Sequence, residues 1–228
     1  VTRGNWFVRT SAVLAGLALA GTLTPRSAQA QGITFTPYVG SFYGLTKMFD
    51  SDVDLAVFGG SGTARFTVEQ TNTVMFGARI GVPISSTISI EGQAGYLSSD
   101  VRLVGKDAIA QGLDLSTNLT GNVITGSVRA AYRPRRSNLS LIGGIAAVHH
   151  GGDAWDFPVN EKLTNIGGVV GFSLRAAVTP RFALVINAET FVYSFDPDKS
   201  NDTSQGFLKK TTQADLVVSI GVPISLTH

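Results

Sequence analysis

The chain contains no cysteine, so no disulfide can staple it, and its fold must rest on packing and strand pairing. Charge is scarce as well: 15% of residues are Asp, Glu, Lys or Arg, against about 25% in an ordinary soluble domain. Beyond residues 1–30 there is no apolar run of about 18 residues, which excludes a membrane-crossing helix in that part of the chain. A basic surplus is missing too. The formal charge of +2 comes from Arg3, Arg9 and Arg26; without them the basic groups fall just short of the 16 acidic ones. Such a balance offers no concentrated basic face for a phosphate backbone, so no nucleic acid is expected as a partner.

What is present begins with an export signal. Arg3 and Arg9 precede an apolar run over residues 12–23, and Ala28-Gln29-Ala30 forms a small-residue cleavage site. Residues 1–30 are therefore expected to be a cleavable signal peptide, and residues 31–228 one exported domain. The run is too short for a transmembrane anchor, which needs about 20 residues. With no cysteine after it, lipoprotein processing is excluded.

Period-two alternation dominates the rest. Over residues 73–84, Val74, Phe76, Ala78, Ile80, Val82 and Ile84 share one face, and Thr73, Met75, Gly77, Arg79 and Gly81 the other. The pattern recurs over residues 88–96, 124–132, 165–176, 182–192 and 213–226; residues 33–45 and 139–149 have strand composition with a less regular alternation. The expected count is eight strands, each about long enough to cross a bilayer at a tilt. A hydropathic chain without a spanning helix can enter hydrocarbon only as a closed barrel, since closure alone satisfies every strand's backbone.

The connectors alternate in length. Residues 46–72, 100–122, 150–162 and 196–210 are long and polar, whereas 85–86, 134–138 and 179–181 are tight turns. Short turns at one rim and long loops at the other are the rule for transmembrane barrels. The segment Ile80-Gly81-Val82-Pro83-Ile84-Ser85 is echoed at Ile220-Gly221-Val222-Pro223-Ile224-Ser225, and both copies are expected at the short-turn rim.

Signal, eight alternating segments, rim asymmetry and an alternating last strand together resemble the OmpA-like and OmpX-like eight-stranded outer-membrane barrels. The resemblance covers residues 31–228 and rests on pattern. It implies an all-β fold, an eight-stranded antiparallel up-and-down transmembrane β-barrel in the outer membrane of a Gram-negative-type envelope. It also implies insertion by the barrel-assembly machinery, contact with outer-membrane lipids and lipopolysaccharide, and a monomeric state. One departure is the ending, Leu226-Thr227-His228, where the family usually has an aromatic residue. The peptidoglycan-binding domain of some relatives is not expected here.

The candidate site is the barrel interior. Arg79, Glu91, Arg129, Arg175, Glu189 and Asp215 all fall on inward faces. A turn centred on Ser85 sets Arg79 opposite Glu91 as an ion pair. Three basic and three acidic groups in a narrow lumen are expected to compensate one another, because an unpaired buried charge is expensive. Such a network either plugs the barrel, in a protein that stabilises the envelope or makes surface contacts as an adhesin does, or opens as a narrow gated pore. A third reading, a lipid A-modifying enzyme, needs a nucleophile, a histidine and an acid in reach. His149 and His150 are followed by Gly151 and Gly152 rather than by a His-x-Ser arrangement, so no catalytic residue is assigned. His149 and His150 with Asp153, Asp156 and Glu161 are read as solvated loop residues rather than metal ligands, since adjacent strand residues point to opposite faces. No metal or cofactor is expected. Phe35, Tyr43, Phe76, Tyr96, Tyr132, Phe172 and Phe182 face outward as an interfacial girdle. Arg133, Arg135, Arg136 and Arg181 mark the short turns.

Overall fold

A stretch such as Val74 to Val82, with a branched or aromatic group at every second position, is stable when extended with its two faces in different media. The computed structural model describes residues 32–54, 62–105, 117–155, 163–179, 182–195 and 211–226, and there the alternation becomes strands. Residues 1–31, which include the expected signal peptide, residues 180–181 and 227–228, and parts of the long connectors lie outside the described residues. The strands are β1 (Thr34–Gly44), β2 (Phe49–Asp54), β3 (Thr63–Gln70), β4 (Thr73–Pro83), β5 (Ile88–Gly105) and β6 (Thr117–Tyr132). They continue as β7 (Leu139–Gly151), β8 (Leu163–Ala177), β9 (Ala183–Phe195), β10 (Thr211–Gly221) and the short β11 (Ile224–Ser225). The described residues contain no α-helix, only one 3-10 turn at Asp153–Trp155.

Eight of these strands close a ring. β1 pairs with β4, then β5, β6, β7, β8, β9 and β10 follow in turn, and β10 pairs back onto β1, every neighbour antiparallel. The seam runs from Tyr38 opposite Gly221 to Gly44 opposite Asp215, and β11 continues it with Thr34 opposite Ser225. The echoed segments thus flank β1 on its two sides at the short-turn rim, Gly81 facing Thr34 and Gly221 facing Tyr38.

Two stretches expected as loops are partly ordered sheet. Residues 46–72 contain the β2–β3 hairpin, whose second strand pairs with β5 from Phe66 opposite Gly105 to Gln70 opposite Val101. β5 and β6 stay paired well beyond the expected ends, to Leu103 opposite Thr117. Asp100, Arg102, Asn118 and Thr120 are exposed there. Ser99 and Val101 stay buried beside them, so the alternation continues along the ladder with a polar residue, Ser99, on its buried face.

Inside the ring, large side chains stand opposite glycines on the next strand. Arg129 faces Gly144, Glu189 faces Gly171, Glu91 faces Gly81, and Tyr193 faces Gly167. A methyl group at Gly144 would overlap the Val128 carbonyl, and one at Gly171 the Ala188 carbonyl. Tyr38 lies between Gly221 and Gly77, and a methyl at Gly77 would overlap its ring. The lumen is filled by this complement of large and absent side chains, as the narrow interior of eight strands requires.

Candidate functional site

Apart from Asp215, the buried charged residues of the lumen gather in the half nearer the short turns. Glu189, fully buried on β9, lies between two guanidiniums: Arg79 Nη2 at 3.3 Å and Arg129 Nη1 at 2.6 Å from its Oε1. Arg129 also donates to Glu91 Oε2 from Nε at 3.0 Å and Nη2 at 2.8 Å, a forked contact. Arg79 donates to Gln93 Oε1 at 2.9 Å and Ser219 Oγ at 2.6 Å. Its guanidinium stacks on the Tyr38 ring, 4.0 Å from the centroid. With the Asn187 amide oriented to suit its neighbours, its oxygen accepts from Arg79 Nη1 at 2.6 Å and its nitrogen donates to Ser173 at 2.7 Å. Two cations and two anions are thus joined through one central carboxylate.

The expected Arg79–Glu91 pair is not made. The β4–β5 turn is centred on Ser86, with Pro83 opposite Ser89, so Arg79 faces Gln93 and Glu91 faces Gly81. Ser85 Oγ accepts from the Thr87 and Ile88 amides and adds the extra residue to the turn. One residue in the turn moves the register by two. Glu91 instead meets Arg129, directly across the β5–β6 ladder.

Four of the six residues expected in the network are joined: Arg79, Glu91, Arg129 and Glu189. Arg175 has the inward phase but lies at the exposed short-turn end of β8. Asp215 is buried in the opposite half, where Tyr193 donates to it at 2.7 Å. A shared inward phase places residues on one face without placing them at one height.

Above the charged network lies an apolar layer that inspection of the sequence missed. Phe42, Met75, Leu97, Val123, Val148, Val169, Phe191 and Val217 supply one side chain from each of the eight barrel strands, and none is more than 1% exposed. Six of the eight share the phase of a charged residue on their own strand, so counting in twos from Arg79, Glu91, Arg129, Arg175, Glu189 and Asp215 reaches Met75, Leu97, Val123, Val169, Phe191 and Val217; the strands of Phe42 and Val148 carry no such residue. Beyond this layer the lumen is polar again, with His150 Nε2 3.3 Å from Tyr193 Oη, and Gln213 joined to Thr46 at 2.7 Å.

His150 is therefore no solvated loop base: it is buried, because β7 runs two residues further and keeps it in phase with Ala146 and Val148. His149 points the other way and meets Thr164 Oγ1 at 2.9 Å. Asp156 and Glu161 lie outside the described residues; among those residues no group of three or more His, Asp or Glu side chains is placed to hold a metal ion.

Outside the barrel wall, Asp50 on the β2–β3 hairpin accepts from Arg65 Nε at 2.6 Å and from Lys47 Nζ at 3.1 Å. The bond from Arg65, then that from Lys47, holds its carboxyl well below the usual carboxylate range. The lipid-side face is apolar: Ile166 is 78% exposed, Ile145 68% and Phe76 61%, with Val128, Leu141 and Val170 close behind. Tyr43, Tyr96, Tyr132 and Phe182 stand exposed among them, while Phe35 and Phe172 are half-buried.

No family model matches the chain, and no curated protein sequence matches it. Among solved structures, the outer membrane protein AlkL, determined in DMPC lipid bilayers, is similar over 89% of this chain and 95% of its own, with a TM-score of 0.51 at 14% identity. The outer membrane protein OprG from Pseudomonas aeruginosa is similar over 85% of this chain and 96% of its own, with a TM-score of 0.47 at 11% identity. The N-terminal β-barrel domain of Pseudomonas aeruginosa OprF gives 86% and 100%, with a TM-score of 0.42 at 10% identity. The ring closure seen in the strand pairing and the likeness to AlkL agree: the chain has the fold of the eight-stranded outer-membrane β-barrels.

Proposed function

We propose that the protein is an integral outer-membrane barrel that does not conduct, and that its role is to stabilise the envelope or to present its long-loop rim for contact. Its environment on this reading is outer-membrane lipid and lipopolysaccharide, and it works as a monomer. The belt of exposed branched and aromatic side chains supports insertion, because a monomer in water rarely leaves so large an apolar surface open. One observation carries the closed lumen: the eight-residue apolar layer, with every strand contributing and every member buried. Charge in the lumen alone is compatible with a gated path, since exchanged ion pairs leave a polar route. An apolar septum stacked on that charge favours closure, because an ion crossing it loses hydration without gaining a partner.

The test is planar-bilayer conductance of the refolded protein, after its heat-modifiable gel shift shows a folded barrel. The wild type should be silent, and Phe191→Ala should bring discrete current steps by opening the septum beside Val169. Wild-type channels, absent in misfolded controls, would overturn the closed reading and recast the Arg79–Glu189–Arg129 cluster as a gate.

A further inference from the structure

The three short turns, residues 84–88, 133–138 and 178–182, carry Arg133, Arg135, Arg136 and Arg181 and not one acidic residue. Arg181 lies outside the described residues. The other three occupy the β6–β7 turn, where the Arg133 amide donates to the Thr87 carbonyl at 2.7 Å and the Ser137 amide to Pro134 at 3.1 Å. Arg175 borders the same turn: its amide donates to the Asn138 carbonyl at 2.9 Å, and its guanidinium lies in the field of Arg133. Among the described residues none of these four guanidiniums forms an ion pair, whereas Arg65, Arg79 and Arg129 all do. The turn thus gathers cationic groups with no carboxylate of the described residues against them, a place where an external anion would be favoured.

The backbone gives an independent indication. Arg136 is the single non-glycine residue with positive φ among the described residues, at 64°. It stands third in the turn closed by Ser137 and Pro134, a position that glycine occupies without strain. An arginine where glycine folds more easily points to a role for its side chain. Next to the turn the lipid-side face resumes at once, with Tyr132 49%, Leu139 42% and Leu141 57% exposed. Guanidiniums at the edge of an apolar belt match an amphiphile, whose phosphate lies one headgroup's depth from its chains, better than a free anion.

We infer that the β6–β7 turn binds the phosphodiester headgroup of an anionic phospholipid in the leaflet on the short-turn side. Arg133, Arg135 and Arg136 donate charge-assisted hydrogen bonds to the phosphate, and Tyr132 and Leu139 pack along the acyl chains. This rests on the membrane-inserted reading above.

The experiment measures the association of spin-labelled phosphatidylglycerol, relative to spin-labelled phosphatidylcholine, with the protein inserted in phosphatidylcholine vesicles. The wild type should prefer phosphatidylglycerol, and the preference should shrink with added salt. It should drop about fivefold for each arginine removed in Arg135→Gln and Arg136→Gly, the factor one basic residue beside an anionic surface is worth. Arg136→Gly is the informative variant, because it removes the charge and relieves the backbone, so a lost preference cannot be laid to poor folding. Equal association of both lipids with an inserted wild type, or an unchanged preference in the double variant, would overturn the inference. A preference abolished by millimolar inorganic phosphate would overturn the lipid in favour of a free-anion site. A protein that never inserts, shown by the missing gel shift, would sink the membrane reading along with this one.

Discussion

Glu189 is the residue on which the lumen network turns, and Glu189→Gln tests it almost isosterically. The carboxylate is fully buried, and its loss strands two cations unequally. Arg129 keeps its forked contact with Glu91. Arg79 keeps only neutral partners, Gln93, Ser219, Asn187 and the Tyr38 ring. A buried charge left without its partner typically costs about 3–5 kcal/mol. With a urea dependence of about 2 kcal/mol per molar, the unfolding midpoint should fall by roughly 2 M.

The comparison with Glu91→Gln makes the argument refutable. The Glu91 side chain is 24% exposed and serves only Arg129, which would still hold Glu189. Because a glutamine oxygen can still accept from Arg129, the substitution should cost about 1.5–3 kcal/mol, the range of a hydrogen bond to a charged group and less than the loss at Glu189. Replacing both members of the other pair, Arg79→Met with Glu189→Met, should recover most of the loss, since an apolar pair of similar size is often no worse than a buried ion pair. Folded fraction is read by the gel shift across a urea series in lipid vesicles. Equal costs for the two glutamates, or a cost below about 1 kcal/mol for Glu189→Gln, would refute the central role given to this carboxylate.

Three further outcomes are expected. Gly144→Ala should cost about 1–3 kcal/mol by forcing a methyl against the Val128 carbonyl, whereas Gly143→Ala, with open space around it, should be close to neutral in the same titration. Arg136→Gly should raise stability by about 1 kcal/mol, the strain of a left-handed residue that bears a side chain. Asp50→Asn should increase amide exchange in the β2–β3 hairpin at neutral pH. Because the Asp50 pKa is depressed, its contribution is present above the unfolded value of 3.8 and is lost as pH falls through the lower folded value; the wild type's protection factors, the intrinsic exchange rate at each pH divided by the observed one, should therefore stay level from pH 7 to 5 and fall only in stronger acid.

The strand faces were legible because hydrocarbon outside the barrel demands an apolar side chain at every second position, and Val74, Phe76, Ile80 and Val82 announce it. Ring order followed from the lengths of the connectors. The β2–β3 hairpin and the outer halves of β5 and β6 were not legible, because their buried positions mix Val101 with polar Thr67, Gln70 and Ser99, which blurs the alternation, and in β2 the apolar Phe49 and Val53 are only two among four polar neighbours. His150 was misread for a related reason: a polar residue at the end of an alternating run looks like the first residue of a loop, although the lumen accepts polar groups as readily as apolar ones. The apolar layer was hidden by the same tolerance, since Met75 or Val217 on an inward face breaks no rule that the lipid imposes.

Alternation has a limit that the Arg79–Glu91 expectation exposes. A slip of two residues between neighbouring strands returns every side chain to the face it left, so hydrocarbon cannot distinguish the true register from that neighbour. The lumen can. With Arg79 opposite Glu91, Gly81 would face Ser89 and Gly77 would face Gln93, so Glu91 would lose the space that Gly81 leaves it and Tyr38, which lies over Gly77 and Gly95 together, would meet Gln93 in place of Gly95. The same holds around the ring, where Arg129, Glu189 and Tyr193 each need the one glycine that faces them. Lipid-facing residues thus specify which way each strand turns, and the glycines specify where along its neighbour it stops. The charged network and the apolar layer depend on both, because a carboxylate between two guanidiniums and one apolar residue from each strand come together only in the single register that the glycines allow.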